Sequence, residues 1–379
     1  KLGQFIASTP SLFPREYVEE FQGCLDQTPT LPFSYIQEVL ATEFAGRNLD
    51  EIFASIDETP LASASIAQVH AAKLTTGENV VIKVQKPGVE TILYTDLNVV
   101  HWATKMLEKA IPKVKFASLS EIVDEIKTRM VREVDFIEEA QNLDDFVEYL
   151  QITNNQAATA PKVYHQFSTR RVLTMERLYG VSLTDFEVVK KYAKDPSQVL
   201  ITAMNTWFGS LMLCKSFHAD LHAGNLMLLE DGRIGFIDFG IVGQLNPEVW
   251  TACLAFMDAL QKTDYTAMAE NMLKMGMTHT KIDTHVLARD LERLFSGVLL
   301  ADPQEILTSK PSDLNDIMLD MVAVGERHGI KFPRDFALLF KQMLYFDRFM
   351  RVLAPYTDIY ADQRLKMVQT IEPQSLFKH

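Results

Sequence analysis

Three polar residues near the middle of the chain have the types and spacing of a metal-dependent phosphate site. Asp220 and Asn225 are five residues apart, and Asp238 follows thirteen residues later. A carboxylate can accept the proton of an attacking hydroxyl group or water, and the oxygens of an amide and of a second carboxylate are hard ligands that suit Mg²⁺. We therefore predict that Asp220 is the catalytic base and that Asn225 and Asp238 hold magnesium against phosphate oxygens.

A lysine and a glutamate upstream complete the arrangement used by protein kinases. Lys83 lies in a Val-Ile-Lys-Val run, which is typical of the strand lysine that contacts nucleotide phosphates. Its ammonium group needs an acidic partner, and Glu139, in a predicted long helix, can turn inward to form that pair, with Glu138 as the alternative. The segment 218–225 has the Asp-to-Asn interval of a kinase catalytic loop, and Asp238 begins Asp-Phe-Gly. The sequence therefore predicts ATP or ADP and Mg²⁺ as cofactors.

The loop expected to cover the phosphates contains no glycine. Small side chains still allow close approach to phosphate, but without glycine the backbone φ angles are restricted. The residues predicted to contact the nucleotide are Ala62, Ser63, Ala64, Ser65, Val69, Lys83, Glu176 and Leu178. The chain also lacks an Ala-Pro-Glu motif, and few residues separate Asp238 from the next predicted helix at about 246. Protein kinases use that interval to dock a peptide, so its shortness argues against ordinary protein phosphorylation.

The elements that must position these residues predict an α+β fold. Helical patterns are predicted over residues 1–58, strands from Ala62 to Val84, and two long helices over about 90–111 and 119–151. After Gly180 the chain is predicted to be mostly helical, with one interruption by a hairpin around Asp231-Gly232. The predicted domains are a helical extension (1–58), a β-containing N-terminal lobe (59–178) and a helical C-terminal lobe (179–379).

Composition excludes several functional classes. The chain has 379 residues, 47% of them hydrophobic, which is enough for a substantial core. The formal net charge is −13 with no basic stripe, so a nucleic-acid partner is not expected. Three scattered cysteines and the absence of a span of about 18 apolar residues predict a reducing compartment, cytoplasmic or inside an organelle, with no membrane-crossing segment.

Four motifs in order resemble the UbiB family of atypical kinases, also called the AarF or ADCK family. They are Lys1-Leu2-Gly3-Gln4 (K-x-G-Q), the alanine-rich loop Ala62–Ser65 followed by Ile-Ala-Gln-Val-His, Glu133-Val134-Asp135 (E-x-D), and the catalytic loop 218–225. In this chain Ser63 replaces an alanine of the family loop, and Leu221 and Ala223 replace prolines that usually flank the second histidine. These departures remove no charged group.

The resemblance implies a protein-kinase-like two-lobed fold whose N-terminal helical extension lies over the active site. Lys1 and Gln4 would then face the nucleotide pocket, with Lys1 paired to an acid such as Glu133, and Asp135 would belong to the same occluding set. The resemblance also implies ATP hydrolysis more readily than protein phosphorylation, support of ubiquinone or other prenylquinone biosynthesis, a lipid or prenylquinone-precursor ligand, and peripheral membrane contact.

One other function remains open, and a further one is disfavoured. Choline and aminoglycoside kinases also carry His-x-Asp followed by Asn, so a small-molecule phosphotransferase is the alternative. A nucleotide-binding scaffold without turnover is disfavoured, because Lys83, Asp220, Asn225 and Asp238 are all present. His218 and His222 are predicted to pack or to form hydrogen bonds rather than to catalyse. The sequence does not identify the phosphoryl acceptor, or whether one exists besides water.

Overall fold

The described residues of the computed structural model form two compact units. The structure describes residues 29–110, 123–124, 127, 134–244, 246–278, 282–299, 312–332, 338–339, 342, 345–346, 349–350, 352–354, 362 and 364–365. The first unit contains the described residues up to Val147, together with Ala160–Tyr179 and Asp238–Ile241. The second unit contains Glu148–Thr159, Gly180–Ile237 and the described residues from Val242 onward. Each unit is therefore assembled from separated stretches of sequence.

The first unit is built on a four-stranded antiparallel sheet. Its strands are β1 (Phe53–Ser63), β2 (Ala67–Leu74), β3 (Asn79–Gln85) and β5 (Val172–Glu176). They are ordered β1-β2-β3-β5. Its helices are α1 (Phe33–Glu43), α2 (Leu49–Ile52), α3 (Val89–Ala110) and the first part of α4 (Phe136–Ile152). Because side chains alternate along a strand, β3 presents Val80, Ile82 and Val84 to one face, where they join a buried cluster with Ile36 and Leu40 of α1. Lys83 is thereby directed to the opposite face.

The second unit contains a smaller sheet and most of the helices. A four-stranded sheet has the order β4-β9-β8-β6, and two further strand pairs are β7 with β10 and β11 with β12. These strands are β4 (Ala158–Thr159), β6 (Gly180–Ser182), β7 (Phe217–His218), β8 (Leu226–Leu229), β9 (Ile234–Phe236), β10 (Val242–Gly243), β11 (Met277–Thr278) and β12 (Ile330–Lys331). The helices are α5 (Phe186–Tyr192), α6 (Pro196–Leu213), α7 (Pro247–Gln261), α8 (Tyr265–Met275), α9 (Thr284–Leu299) and α10 (Ser312–Arg327).

The predicted α+β class is confirmed, and so are the strands predicted between Ala62 and Val84 and the hairpin around Asp231-Gly232. The turn between β2 and β3 contains Gly77 at φ +107°, and the turn between β8 and β9 contains Gly232 at φ +86°. Both glycines occupy the left-handed region that a residue with a side chain rarely adopts. None of the described helices combines the length and the apolar character needed to cross a membrane.

Three secondary-structure predictions were wrong in detail. Residues 53–58 are part of strand β1 rather than a helix, because their backbone pairs with β2. The helix predicted over 119–151 is interrupted by a turn at Val134-Asp135, and α4 begins only at Phe136. Asp135 accepts a hydrogen bond from the N–H of Ile137 at 3.0 Å and so begins a new helix. After Gly180 there are also short strands outside the predicted hairpin.

Candidate active site

The first group of predicted site residues is centred on Lys83, in the first unit. Its ammonium group lies 2.8 and 2.9 Å from the two carboxylate oxygens of Glu139. A third oxygen, Oδ1 of Asp238, lies 3.1 Å away. The structure therefore brings Lys83, Glu139 and Asp238 together, and Glu138, the alternative partner, is exposed.

Electrostatics keep the Lys83 side chain charged. Lys83 is 8% exposed and Glu139 is 2% exposed, so the pair is buried. Burial lowers the pKa of Lys83, but the neighbouring carboxylates of Asp238 and Glu139 raise it by more, and the net shift of the pKa is upward. The ring of Phe136 also lies 5.3 Å from the ammonium nitrogen and faces it. A charged lysine held in this way is suited to contact a phosphate oxygen.

One face of α4 holds the Asp-Phe-Gly segment. Glu139, Asn142 and Phe146 are spaced three and four residues apart, so they lie on the same side of the helix. Asn142 donates a hydrogen bond to the carbonyl of Phe239 at 3.1 Å. The ring of Phe239 packs against Phe146 with centroids 4.9 Å apart. Sequence reasoning missed Asn142 and Phe146, although their spacing from Glu139 was a usable signal.

Asp238 has an unusual backbone conformation. Its φ is +62°, in the left-handed region, where residues other than glycine are uncommon and often functional. Its Oδ1 accepts a hydrogen bond from the N–H of Gly240 at 3.3 Å in addition to contacting Lys83. The side chain is 48% exposed, so this carboxylate is accessible to a ligand. An accessible carboxylate is a hard oxygen donor and fits Mg²⁺.

The alanine-rich segment forms the turn between β1 and β2. The N–H of Ala64 donates to the carbonyl of Ala67 at 2.8 Å, which closes the turn. Ala62 is paired with Val69 across the two strands. Val69 is in turn paired with Lys83. Because directly opposed residues share a face of a sheet, Val69 and Lys83 lie side by side on the face away from the α1 core.

Gln68, next to Val69, makes contacts that the sequence did not reveal. It is fully buried. Its side-chain oxygen accepts a hydrogen bond from the N–H of Leu31, and its amide nitrogen lies 3.3 Å from the Leu31 carbonyl. Ser63 and Lys86 also bond to the nearby carbonyl of Pro29. The segment before α1 is thereby attached to the strands that carry the alanine-rich turn.

The other residues predicted to contact nucleotide lie at the end of β5. Glu176 is paired with Val80, and Val80 is three residues from Lys83 along β3. The carboxylate of Glu176 accepts a hydrogen bond from the N–H of Lys162 at 3.2 Å. Leu178 follows β5 and is half-buried. Contact of Glu176 and Leu178 with nucleotide stays a prediction.

The second group of predicted residues lies on the loop after β7, in the second unit. The amide nitrogen of Asn225 donates to the carbonyl of Asp220 at 2.9 Å, which closes the loop on itself. Nδ1 of His218 accepts from the N–H of Asp220 at 3.2 Å, and Nε2 lies 3.2 Å from the carbonyl of Ile237. These contacts assign a neutral His218 with its proton on Nε2. His218 is therefore a hydrogen-bonding residue of the loop, as the sequence indicated.

His222 lies beside the predicted base. Its Nδ1 accepts a hydrogen bond from the N–H of Gly224 at 3.1 Å. Its Nε2 is 3.9 Å from Oδ2 of Asp220, which is beyond hydrogen-bond distance. A Cβ atom at position 224 would lie 2.9 Å from the His222 ring, so glycine is needed for this packing. The observed contacts make His222 a cap of the short helical turn Ala223–Asn225.

A distant glutamine also contacts this loop. Gln342 is fully buried. Its side-chain oxygen accepts from the N–H of Leu221 at 2.6 Å, and its amide nitrogen donates to the carbonyl of Ala219 at 2.6 Å. Sequence reasoning missed this residue. The signal was a polar residue within the apolar helical spacing of Leu338, Leu339, Tyr345 and Phe346.

The predicted occluding residues are mostly outside the part of the chain that is described. Lys1, Gln4 and Glu133 all lie outside the described residues. Asp135 is described, and its carboxylate lies 3.5 Å from the guanidinium of Arg170 while it caps α4. Among the described residues no group of three or more His, Cys, Asp or Glu side chains has the arrangement of a metal site. A magnesium site formed by one carboxylate, one amide and phosphate oxygens needs no such group.

Comparison with known proteins identifies relatives over most of the chain. A family model described as the ABC1 atypical kinase-like domain matches residues 23–272. An Arabidopsis thaliana protein described as an uncharacterized chloroplastic aarF domain-containing protein kinase is 47% identical over 386 residues, covering 97% of this chain and 71% of the relative. An Azotobacter vinelandii protein described as a probable protein kinase UbiB is 29% identical over 365 residues, covering 95% of this chain and 66% of the relative.

A solved structure is similar over nearly the whole chain. A Mycobacterium tuberculosis protein determined in complex with erythromycin has a TM-score of 0.58 and 23% identity, covering 94% of this chain and 91% of the other. At this identity the likeness concerns the fold. Together with the family match, it confirms the predicted kinase-like fold.

Proposed function

Because the chain belongs to the ABC1 atypical kinase-like family, as its resemblance to the UbiB family predicted, we propose that it binds ATP with magnesium and transfers or hydrolyses the terminal phosphoryl group. The observation that carries the proposal is the contact of Lys83 with both Glu139 and Asp238. A buried lysine paired to a helix glutamate is the arrangement that places an ammonium group against nucleotide phosphates. The pair is formed here from residues 56 positions apart in the chain.

Each residue has a distinct role in the proposed reaction. Lys83 binds phosphate oxygens, and Glu139 fixes its position. Asp238 and Asn225 would hold magnesium, which neutralises phosphate charge when bound. Asp220 orients the attacking water or hydroxyl group and accepts its proton. As the new P–O bond to that oxygen forms, the bond between the γ-phosphorus and the bridging oxygen breaks, and ADP leaves with the electron pair.

The two groups of residues lie in different units, and the order of the motifs along the chain supports the proposed reaction. Lys83, Glu139 and the Asp-Phe-Gly segment belong to the first unit, and the loop with Asp220 and Asn225 belongs to the second. Their order along the chain is that of the kinase motifs.

The metabolic role is proposed from the family resemblance and from the short segment after Gly240. Helix α7 begins at Pro247, so few residues are available there to bind a peptide. We propose that the activity supports prenylquinone metabolism at a membrane surface rather than ordinary protein phosphorylation. A small-molecule phosphotransferase of the choline or aminoglycoside kinase type is not favoured, because the family match covers residues 23–272.

The nucleotide and metal proposal is tested by ligand-induced thermal stabilisation. Saturating ATP at about 100 times its Kd stabilises a protein by about 2.7 kcal/mol. We expect this stabilisation in the parent protein only when magnesium is present, and we expect it to be lost in Asp238→Asn. Asp258→Asn on the outside of α7 is the matched control, because Asp258 is exposed and its carboxylate pairs with Lys262 one helical turn later. Equal magnesium-dependent stabilisation of Asp238→Asn and the control would refute the metal assignment.

The metabolic part of the proposal needs a test in cells. Prenylquinones and their biosynthetic intermediates are measured in a strain without the gene, complemented by either the parent or the Asp220→Asn allele. We expect intermediates to accumulate without the gene and to remain elevated with Asp220→Asn. Restoration of normal levels by Asp220→Asn would separate the metabolic role from catalysis by this residue.

A further inference from the structure

Gln342 is an exception in an apolar helical segment. The described neighbours Leu338, Leu339, Phe346 and Phe349 are buried hydrophobic residues at helical spacing, and Gln342 is 0% exposed among them. A buried primary amide has a large desolvation cost unless its donor and acceptor are both used. Phe346, four residues later, packs against Trp207 with ring centroids 5.4 Å apart. The same helix face therefore contacts both α6 and the loop after β7.

The amide of Gln342 binds the peptide groups on the two sides of Asp220. One is the N–H of Leu221, which donates to Oε1 at 2.6 Å. The other is the carbonyl of Ala219, which accepts from Nε2 at 2.6 Å. Trp207 adds a third backbone contact, from its indole N–H to the carbonyl of His218 at 2.9 Å. The backbone that carries the Asp220 carboxylate is thus held by Trp207, 11 residues from its partner, and by Gln342, which is 121 residues from Leu221.

We infer that Gln342 is a positioning residue for Asp220. It fixes the orientation of both peptide planes that flank the carboxylate, through its bonds to the N–H of Leu221 and the carbonyl of Ala219. This inference rests on the proposed function, because Asp220 is the proposed base. A general base works only when its oxygen meets the attacking group within hydrogen-bond distance. A displacement of about 1 Å can reduce turnover by about 10²-fold.

Substitution of Gln342 should affect turnover but not nucleotide binding. Lys83, Glu139 and Asp238 belong to the first unit, whereas Gln342 bonds to the loop of the second unit. We therefore expect substitution of Gln342 to lower kcat by about tenfold to 10²-fold and to leave the Kd for ATP within about twofold. A substitution that merely destabilised the fold would change both kcat and the Kd for ATP, or neither of them.

Two variants remove the contacts in different ways. Gln342→Met keeps the length and removes both hydrogen bonds. Gln342→Glu keeps the acceptor and places an oxygen against the carbonyl of Ala219. The matched controls are Asn271→Leu and Asn271→Asp. Asn271 is also a largely buried amide of the second unit, and among the described residues its side chain bonds within α8, to Ala267 at 2.8 Å and to Lys274 at 3.4 Å. These controls carry the same chemical changes away from the loop.

The experiment measures kcat, the Kd for ATP and amide hydrogen exchange of peptides covering residues 217–225. We expect both Gln342 variants to exchange faster at this loop and to lose turnover, while the Asn271 variants retain both. Unchanged loop exchange in Gln342→Met would overturn the inference whether or not the protein hydrolyses ATP. Faster exchange with unchanged kcat would show that the contact does not position Asp220. If the parent protein lacks turnover with every acceptor, the proposed function fails, and hydrogen exchange alone decides whether Gln342 holds the loop.

Discussion

Replacing Glu139 by glutamine tests whether Lys83 depends on a buried charge partner. Removing one member of a buried ion pair typically costs about 3–5 kcal/mol. Here the loss should be smaller, because Asp238 remains 3.1 Å from the ammonium group, and because a glutamine oxygen can still accept one hydrogen bond worth about 1 kcal/mol. Taking the lower limit of about 3 kcal/mol and subtracting about 1 kcal/mol predicts a loss of about 2 kcal/mol in the free energy of unfolding.

The neighbouring residue provides the control. Glu138 and Glu139 both lie in the first turn of α4, so both interact with the positive end of the helix dipole. Glu138 is exposed, whereas Glu139 is buried against Lys83. Glu138→Gln therefore reproduces the loss of a helix-dipole interaction without breaking the ion pair. We expect its effect on the free energy of unfolding to remain within about 0.5 kcal/mol.

Thermal denaturation and ATP titration provide the measurements. A loss of about 2 kcal/mol corresponds to a fall in Tm of about 4–8 °C for a domain of this size class. Because Lys83 also loses its fixed orientation, the Kd for ATP with magnesium should rise about tenfold, which corresponds to about 1.4 kcal/mol. Similar Tm and Kd values for Glu139→Gln and Glu138→Gln would refute the reasoning, since the ion pair would then contribute nothing beyond the helix dipole.

Three further predictions concern the base, the alanine-rich turn and a buried histidine. Asp220→Asn should bind ATP with magnesium normally but turn over about 10²–10⁴ times more slowly, and normal turnover would place the base elsewhere. Ala64→Gly should relax the turn and change the relative affinities for ATP and ADP, measured by titration calorimetry; unchanged affinities for both would argue against a phosphate-covering role. Burial lowers the pKa of His70, so the unfolded chain binds more protons below about pH 6.5 and the free energy of unfolding should fall as the pH drops. His70→Gln should reduce this pH dependence in denaturant titrations. An unchanged dependence of the free energy of unfolding on pH would show that His70 is not its cause.

Local patterns were sufficient to predict the contact between Lys83 and Glu139. The apolar alternation around Lys83 requires that its side chain leave the core face of β3, and the helical pattern that includes Glu139 offers an inward-facing carboxylate. Both features depend on residues that are close in sequence. The pairing of Lys83 with Glu139 is present in the structure, and their role in nucleotide binding stays a prediction.

Contacts that depend on distant parts of the chain were not predicted. Gln342 reaches a loop 121 residues away, and Gln68 holds Leu31 across 37 residues. In both cases an amide side chain replaces a strand partner for an irregular backbone. The apolar spacing around Gln342 marks it as an exception, but no local pattern identifies the backbone that either amide binds. The first residues of strand β1 were predicted to be helical for a similar reason. Most of its residues are exposed or half-buried and it lies at the edge of the sheet, so pairing with β2 rather than its own composition defines it.

Each unit is assembled from separated stretches of sequence, and this affects how the protein could be divided into fragments. A cut at the predicted boundary after Leu178 would give an amino-terminal fragment that retains Glu148–Thr159 but lacks Asp238–Ile241. That fragment would expose Tyr149, whose hydroxyl group donates to the carbonyl of Thr206 at 2.8 Å in the intact chain. The carboxy-terminal fragment would lose β4, the parallel neighbour of β9. Neither half would be an autonomous folding unit, so co-expressed halves should become soluble only by complementing each other.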